Sequence, residues 1–222
     1  MKRFARSNRL GEKRISHHSA RDGGRARVPS LDVQLVLASA SPRRVELLRE
    51  LCPSFDVMPT RVEEIEDSSL APAEVALVNA WRKADALRLR RPKALILGAD
   101  TVVALPKRLF GKPSNSREAV AMLKALSGRP HHVITGVCLL HPASGYTHLF
   151  AETTRVRFRR LGLASIRAYL SKIHPFDKAG GYALQEHGEA IVHSIEGSFS
   201  NVVGLPLERL ASALTAFGCR RG

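Results

Sequence analysis

Cysteine is scarce in this chain. Three occur among 222 residues, Cys52, Cys138 and Cys219. They are widely spaced, odd in number and never form a Cys-x-x-Cys pair. This argues against a disulfide framework or a zinc ribbon and suits a reducing cytosol. Long apolar runs are also missing. No stretch approaches the roughly 18 consecutive apolar residues of a membrane span, so no membrane association is expected. There is no Gly-x-x-x-x-Gly-Lys-Ser/Thr, so a Walker phosphate loop is excluded. No internal repeat is evident. Acidic residues are few, 20 Asp and Glu against 35 Lys and Arg, giving a formal charge of +15.

That charge is unevenly spread. Residues 1–30 carry nine Lys/Arg and two acids, a net +7, and the remaining 192 residues carry +8. The first thirty residues hold almost nothing apolar, so they cannot bury enough surface to offset their ordering entropy, and a disordered basic tail is expected there. Such a tail can touch nucleic acid non-specifically, but no functional role is assigned to it. It lacks the apolar core of a secretory signal. Its Arg-rich, acid-poor composition fits a transit peptide or an over-long start assignment equally. Beyond it, a hydrophobic fraction of 44% is ample for a core, in one large domain or two small lobes.

The most informative stretch is Leu35 to Leu51. It opens as an apolar strand, Leu35-Val36-Leu37, and turns on Ala38-Ser39-Ala40-Ser41. A helix follows, with Ser41 at the N-cap, Pro42 at the first helical position, and Val45, Leu47, Leu48 and Leu51 as an apolar stripe. Arg43 and Arg44 fall in its first turn, where the helix end is itself positive and acids are favoured. Two readings fit: a solvated surface pair, or an anion site in which a phosphate approaches the small residues and the arginines close on its oxygens.

Ala94 to Leu105 is apolar on both parities, as in a strand buried on both faces. Asp100 interrupts it. A lone buried acid is costly unless paired or metal-bound, so Asp100 is a functional candidate; the alternative is a turn between two shorter strands. The cluster Glu63-Glu64-Ile65-Glu66-Asp67 reads either as a solvated loop or as a source of one metal-holding carboxylate. Helices are expected over Glu74–Leu89, which contains Lys83 and has Trp81 among its apolar positions, and over Ser116–Leu126, with Ser116 as N-cap and Gly128 as stop. Further helices are expected over Ala164–Lys172 and Pro206–Phe217, the last capped by Gly218. Strands are expected over Phe55–Pro59, His131–Leu140 and Thr147–Leu161, the last with arginines on one solvated face. His131 and His132 point to opposite faces of their strand and so form no metal pair. A Gly-rich turn after Asp177 is expected to feed a strand carrying Gln185. Alternating helices and strands, some of them paired, indicate an α/β fold with a mixed sheet.

Five motifs then stand in order. They are Ser39-Ala40-Ser41-Pro42-Arg43-Arg44-x-Glu46-Leu47-Leu48, Gly98-Ala99-Asp100-Thr101, Gly111-Lys112-Pro113, Asp177-Lys178-Ala179-Gly180-Gly181-Tyr182, and Asn201-Val202-Val203-Gly204-Leu205-Pro206-Leu207. Over residues 33–217 the chain resembles the Maf family of nucleotide pyrophosphatases, which makes 31–222 a Maf-like domain. The resemblance implies an elongated mixed β-sheet flanked by helices, in two lobes about a central cleft, like that of inosine triphosphate pyrophosphatases. It implies hydrolysis of a nucleoside triphosphate to the monophosphate and pyrophosphate with a divalent cation, Mg²⁺ or Mn²⁺, in the cytoplasm, by a homodimer. The family is associated with septum formation and with removal of non-canonical nucleotides.

By the same resemblance, Ser39, Arg43 and Arg44 would hold the phosphates, and Glu64, Lys83 and Lys112 would complete the polar cleft. Asp100 would be the general base, and Glu64 and Asp100 would hold the metal. In the subfamily acting on dTTP and UTP, the base-reading positions correspond to Arg43, Thr101 and Gln185, and all three match. The sister subfamily acting on 7-methyl-GTP differs there. One departure is that Glu186-His187-Gly188 follows Gln185, where the family usually places Gly directly after the glutamine, and this bears on the base pocket. The alternative from another class is a non-enzymatic septum-formation inhibitor binding partners or DNA.

Overall fold

The computed structural model describes residues 33–67 and 69–217. The basic tail expected over 1–30 and the Gly218 cap lie outside the described residues. The strands are β1 (Leu35–Leu37), β2 (Asp56–Val57), β3 (Leu95–Leu105), β4 (Arg108–Phe110), β5 (Pro130–His141), β6 (Tyr146–Phe158) and β7 (Val192–Glu196). The helices are α1 (Pro42–Arg49), α2 (Pro72–Asp85), α3 (Ser116–Leu126), α4 (Leu163–Leu170), α5 (Phe199–Val203) and α6 (Leu207–Leu214), joined by short 3₁₀ turns. The strands form one sheet in the order β2-β1-β3-β5-β6-β7, with β4 also on β3. β1 runs parallel to β2 and β3, and the other pairings are antiparallel. The mixed α/β sheet expected from the sequence is present.

The long strand β3 organises this sheet. One edge pairs with β5 from Ile96 to Ala104. The other edge is shared: β1 takes Leu95 to Leu97 and β4 takes Val103 to Leu105. Residues 98–102 therefore have no strand beside them on that edge. The run is one continuous strand, and the alternative of a turn at Asp100 does not hold.

One face of the sheet is covered by α2 and the turn after it, through Ala80, Ala84 and Leu87 against Val36, Ile96 and Cys138 and through Val75 and Ala76 against Val102 and Ile134. On the other face, α1 and α6 cover one end with Leu47, Leu48, Leu207, Leu210 and Leu214. There α3 and α4 cover the opposite end with Met122, Leu123, Leu126, Ile166 and Tyr169. These two ends are the lobes, and the unpaired edge of β3 lies between them.

Helix boundaries follow from local chemistry. Ser41 caps α1 by accepting from Arg44 N at 3.4 Å, with Pro42 in the first turn. Helix α2 starts two residues earlier than expected, because Pro72 occupies the first turn and Glu74 Oε2 accepts from Ala71 N at 2.8 Å. Asn115, not Ser116, caps α3, its Oδ1 accepting from Glu118 N at 2.9 Å. Gly128 follows α3 at φ +69°, as a stop signal requires. Trp81 is half-exposed rather than part of the buried stripe.

Helix α2 packs unusually close to the sheet. A Cβ at Gly98 would land on the Ala80 carbonyl and lie 2.9 Å from Ala84 N, and one at Gly136 would clash with the Ala76 carbonyl group and lie 2.6 Å from Leu77 N. Only glycine leaves room for that backbone contact. Gly98→Ala or Gly136→Ala should force α2 outward and cost about 1–3 kcal/mol. Thermal unfolding should show each Tm reduced by about 2–4 °C per kcal/mol lost, and an unchanged Tm would contradict the close-packing account.

Candidate active site

The unpaired edge of β3 opens into a cavity of about 460 Å³, within the usual range for ligand sites. Successive strand residues point to opposite faces, so Asp100 and Thr101 would normally be separated by the sheet. With no neighbouring strand, both line the same cavity. Ser39, Arg43, Arg44, Glu64, Lys83, Lys112 and Gln185 line it as well, which brings together every residue expected at the site.

The first wall is the turn from β1 into α1. Arg44 is pinned by three hydrogen bonds: Nε to the Gly204 carbonyl at 2.9 Å, Nη2 to Thr101 Oγ1 at 3.0 Å, and Nη1 to Ser39 Oγ at 3.4 Å. Burial lowers the guanidinium's pKa, while Asp100 and Glu64 oppose this. An arginine with a pKa so high to begin with stays charged. Thr101 Oγ1 lies 2.9 Å from Thr135 Oγ1, which donates to the Asn201 carbonyl at 3.0 Å. Because the Thr135 proton is committed to Asn201, Thr101 donates to Thr135 and accepts from Arg44. Asn201 is itself fully buried, donating to Val133 O and Thr154 Oγ1.

The second wall is a charged cluster. Lys83 Nζ lies 2.6 Å from Asp100 Oδ1 and 2.8 Å from Glu64 Oε1, and Lys112 Nζ bonds both Glu64 oxygens at 2.7 and 2.8 Å. Asp100 is 4% exposed, so its ion pair is shielded from water. Asn79 donates to Asp100 Oδ2 at 3.1 Å and exchanges two hydrogen bonds with the Ile65 backbone, tying the Glu64 loop to α2. Asn79 and Lys83 are four residues apart and share one helix face. Of the acidic cluster, Glu64 is the member that enters the cavity. Burial pushes its carboxyl up, but Lys83 and Lys112 overcome this and hold it at about 2.

The third wall is the segment after α4. Arg43 Nη1 bonds Asp177 Oδ2 at 2.9 Å, and Nη2 reaches the Asp177 carbonyl at 3.3 Å. Burial raises Asp177, but Lys178 and Arg43 hold it at about 2. Tyr182 is fixed by its hydroxyl to His131 Nε2 at 2.9 Å. Burial lowers His131 to about 4, so it stays neutral near pH 7. Gln185 is exposed at the cavity rim in a turn. The expected strand there does not form, because Ala183 is held instead by the Tyr169 hydroxyl, at 3.0 Å through its carbonyl and 3.1 Å through its N–H. Glu186 pairs with Lys178 at 3.0 Å and is not a lining residue.

Sequence reasoning missed Asn79, Thr135, Asn201, Gly204 and Asp177 as parts of the site. A signal existed for Asn79 in its four-residue spacing from Lys83. Thr135 and Asn201 act through contacts that only the tertiary structure makes. Among the described residues, no group of three or more His, Cys, Asp or Glu could hold a metal. Glu64 and Asp100 do converge on one point, and the Lys83 ammonium sits there.

Residues 34–217 match the Maf-like protein family. The chain belongs to the Maf family. Among its curated Maf relatives is the dTTP/UTP pyrophosphatase of Pelotomaculum thermopropionicum, 45% identical over 185 residues, covering 83% of this chain and 97% of the relative. Those of Gloeobacter violaceus (43%, 86% and 99% covered) and Symbiobacterium thermophilum (46%, 83% and 94% covered) are similar to it over the same extent. The backbone is also similar to that of the Staphylococcus aureus Ham1 protein, with TM-score 0.46 and 15% identity, over 82% of this chain and 98% of that one.

The depressed carboxyls give this Maf protein a defined acid response. Glu64 sits at about 2 against an ordinary 4.5. A lowered folded pKa contributes stability that is fully present above the unfolded value and is lost as pH falls toward the folded one. Asp177, at about 2 against 3.8, acts in the same direction. Urea midpoints should fall as pH drops from 4.5 toward 2, and less steeply in Glu64→Gln; parallel curves for the two proteins would contradict the ion-pair assignment.

Proposed function

We propose that this protein hydrolyses dTTP and UTP to the monophosphate and pyrophosphate, in the cytoplasm, where such substrates are held. The observation that carries this is the convergence of an arginine-bearing helix N-terminus with the Asp100–Lys83–Glu64–Lys112 cluster in one cavity. Its Maf relatives named dTTP/UTP pyrophosphatase support the substrate class.

Arg44, already held in place, bonds phosphate oxygens without first being ordered, and Lys112, held on Glu64, adds a second positive charge. Asp100 takes a proton from a water that attacks the α-phosphorus. The bond from that phosphorus to the bridging oxygen breaks, and pyrophosphate leaves with its charge opposed by the basic groups. Lys83 and Asn79 fix the Asp100 carboxylate through one oxygen each. The donor chemistry suits Mg²⁺ or Mn²⁺: Glu64 and Asp100 are hard oxygen donors on one side of the cavity, and such ions combine one or two carboxylates with substrate phosphates. Glu64 and Asp100 would hold that ion, which when bound neutralises phosphate charge. For the base, Thr101 has its proton committed to Thr135 and can only accept. That suits the ring N–H of thymine or uracil and not the lone pair of cytosine at the same place.

Pyrophosphate release from dTTP, UTP, CTP and 7-methyl-GTP, with each metal, tests this reading. Release from dTTP and UTP is expected. Release only from other nucleotides would overturn the base assignment, and no release would favour a non-enzymatic binding protein. Asp100→Asn should lose roughly 10²–10⁴-fold in kcat while still binding nucleotide. Near-normal turnover in that variant would remove Asp100 as the base.

A further inference from the structure

The cationic groups of the cavity recognise phosphate, and the polar positions Arg43, Thr101 and Gln185 choose among bases without offering a flat surface for one to rest on. Arg44 and Lys112 would bind any polyphosphate. The lining also includes apolar side chains, and one of them is an exposed aromatic. Phe176 is a large apolar side chain left 39% exposed, and it lines the same cavity as the arginines and Gln185. A singly exposed phenylalanine is ordinary elsewhere on a surface. Here it lines a charged pocket while partly open to solvent, where neither packing nor solubility calls for an aromatic ring.

Its setting is ordered. The His174 ring meets Phe176 edge-to-face, with centroids 5.2 Å apart and planes at 86°. The next residue, Asp177, holds Arg43 through both its carboxylate and its carbonyl oxygen. The ring is therefore tied, through one residue, to the α1 side of the cleft. Tyr182, the other aromatic lining the cavity, is 5% exposed and has its hydroxyl committed to His131, so it offers no open ring face.

We propose that Phe176 is the stacking platform for the nucleobase, and so the residue that makes this site select nucleotides over bare polyphosphates. The proposal rests on reading the cavity as a nucleoside triphosphate site. Every base has a π-face, so stacking supplies affinity for a base without choosing among bases, and that choice falls to Arg43, Thr101 and Gln185.

The test compares ligands with and without a base. Calorimetry would give Kd for the non-hydrolysable α,β-imido forms of dUTP and other nucleotides and for inorganic tripolyphosphate, on the wild type, Phe176→Ala and Phe176→Trp. Loss of one stacking contact should weaken nucleotide binding by about 5- to 150-fold, leave tripolyphosphate unchanged, and be restored by tryptophan. Equal weakening of both ligands would show a merely structural role and overturn the proposal, as would unchanged nucleotide binding in Phe176→Ala or a wild type that binds no nucleotide. A wild type that binds nucleotide through Phe176 but releases no pyrophosphate would refute the hydrolase reading and leave the stacking platform standing.

Discussion

The site depends on five residues of β3 having no strand along one edge. β1 ends its pairing at Leu97 and β4 begins at Val103. A complete sheet would have separated Asp100 from Thr101 by its own thickness, and the unpaired backbone would have been filled by a neighbour. The interruption puts residues from both faces into one cavity and divides the core beyond it into two lobes. Backbone pairing with β5 continues without a break on the other edge, so the strand stays rigid where it is exposed to ligand. That rigidity is what precise placement of a catalytic carboxylate needs.

A second constraint sets the depth of the site. Gly98 and Gly136 let the α2 backbone rest on the sheet itself, which brings Asn79 and Lys83 within hydrogen-bonding distance of Asp100. Larger residues would lift the helix and leave a buried carboxylate without partners, a costly state. The small stripe Ala76, Ala80 and Ala84 and the polar pair Asn79 and Lys83 lie on adjacent faces of one helix. The packing surface and the chemistry are thus positioned by the same contact.

How far the sequence revealed this varied with how local the cause was. The strand–turn–helix at Leu35 to Arg49, the continuous apolar strand around Asp100 and the alternation of β6 were legible, because each follows from hydrophobic period or capping within a few residues. The expected site residues came from motif order, and the structure places all of them on one cavity. What escaped was set by distant contacts. Gln185 sits in a turn because Tyr169 and Tyr182 anchor the surrounding backbone. Thr135 and Asn201 matter only because β5 and α5 meet behind Arg44. Asn201 heads a motif, but nothing in that motif shows that it accepts from Thr135, and Thr135 lies in an ordinary apolar strand. The departure at Glu186 places a carboxylate that does not line the cavity in an ion pair with Lys178, which does, and sequence alone could not distinguish this from a residue facing the base.

The anchors of the two arginines have a consequence for synthesis. Arg43 is bonded to a residue 134 positions later and Arg44 to one 160 positions later. A ribosome adds about 5–20 residues per second. For roughly seven to thirty seconds after they emerge, both guanidiniums have none of these partners yet made. Until then the two guanidiniums are free to meet any polyphosphate or nucleic acid around them, and the last third of the polypeptide turns that loose positive charge into an ordered site by folding back over it.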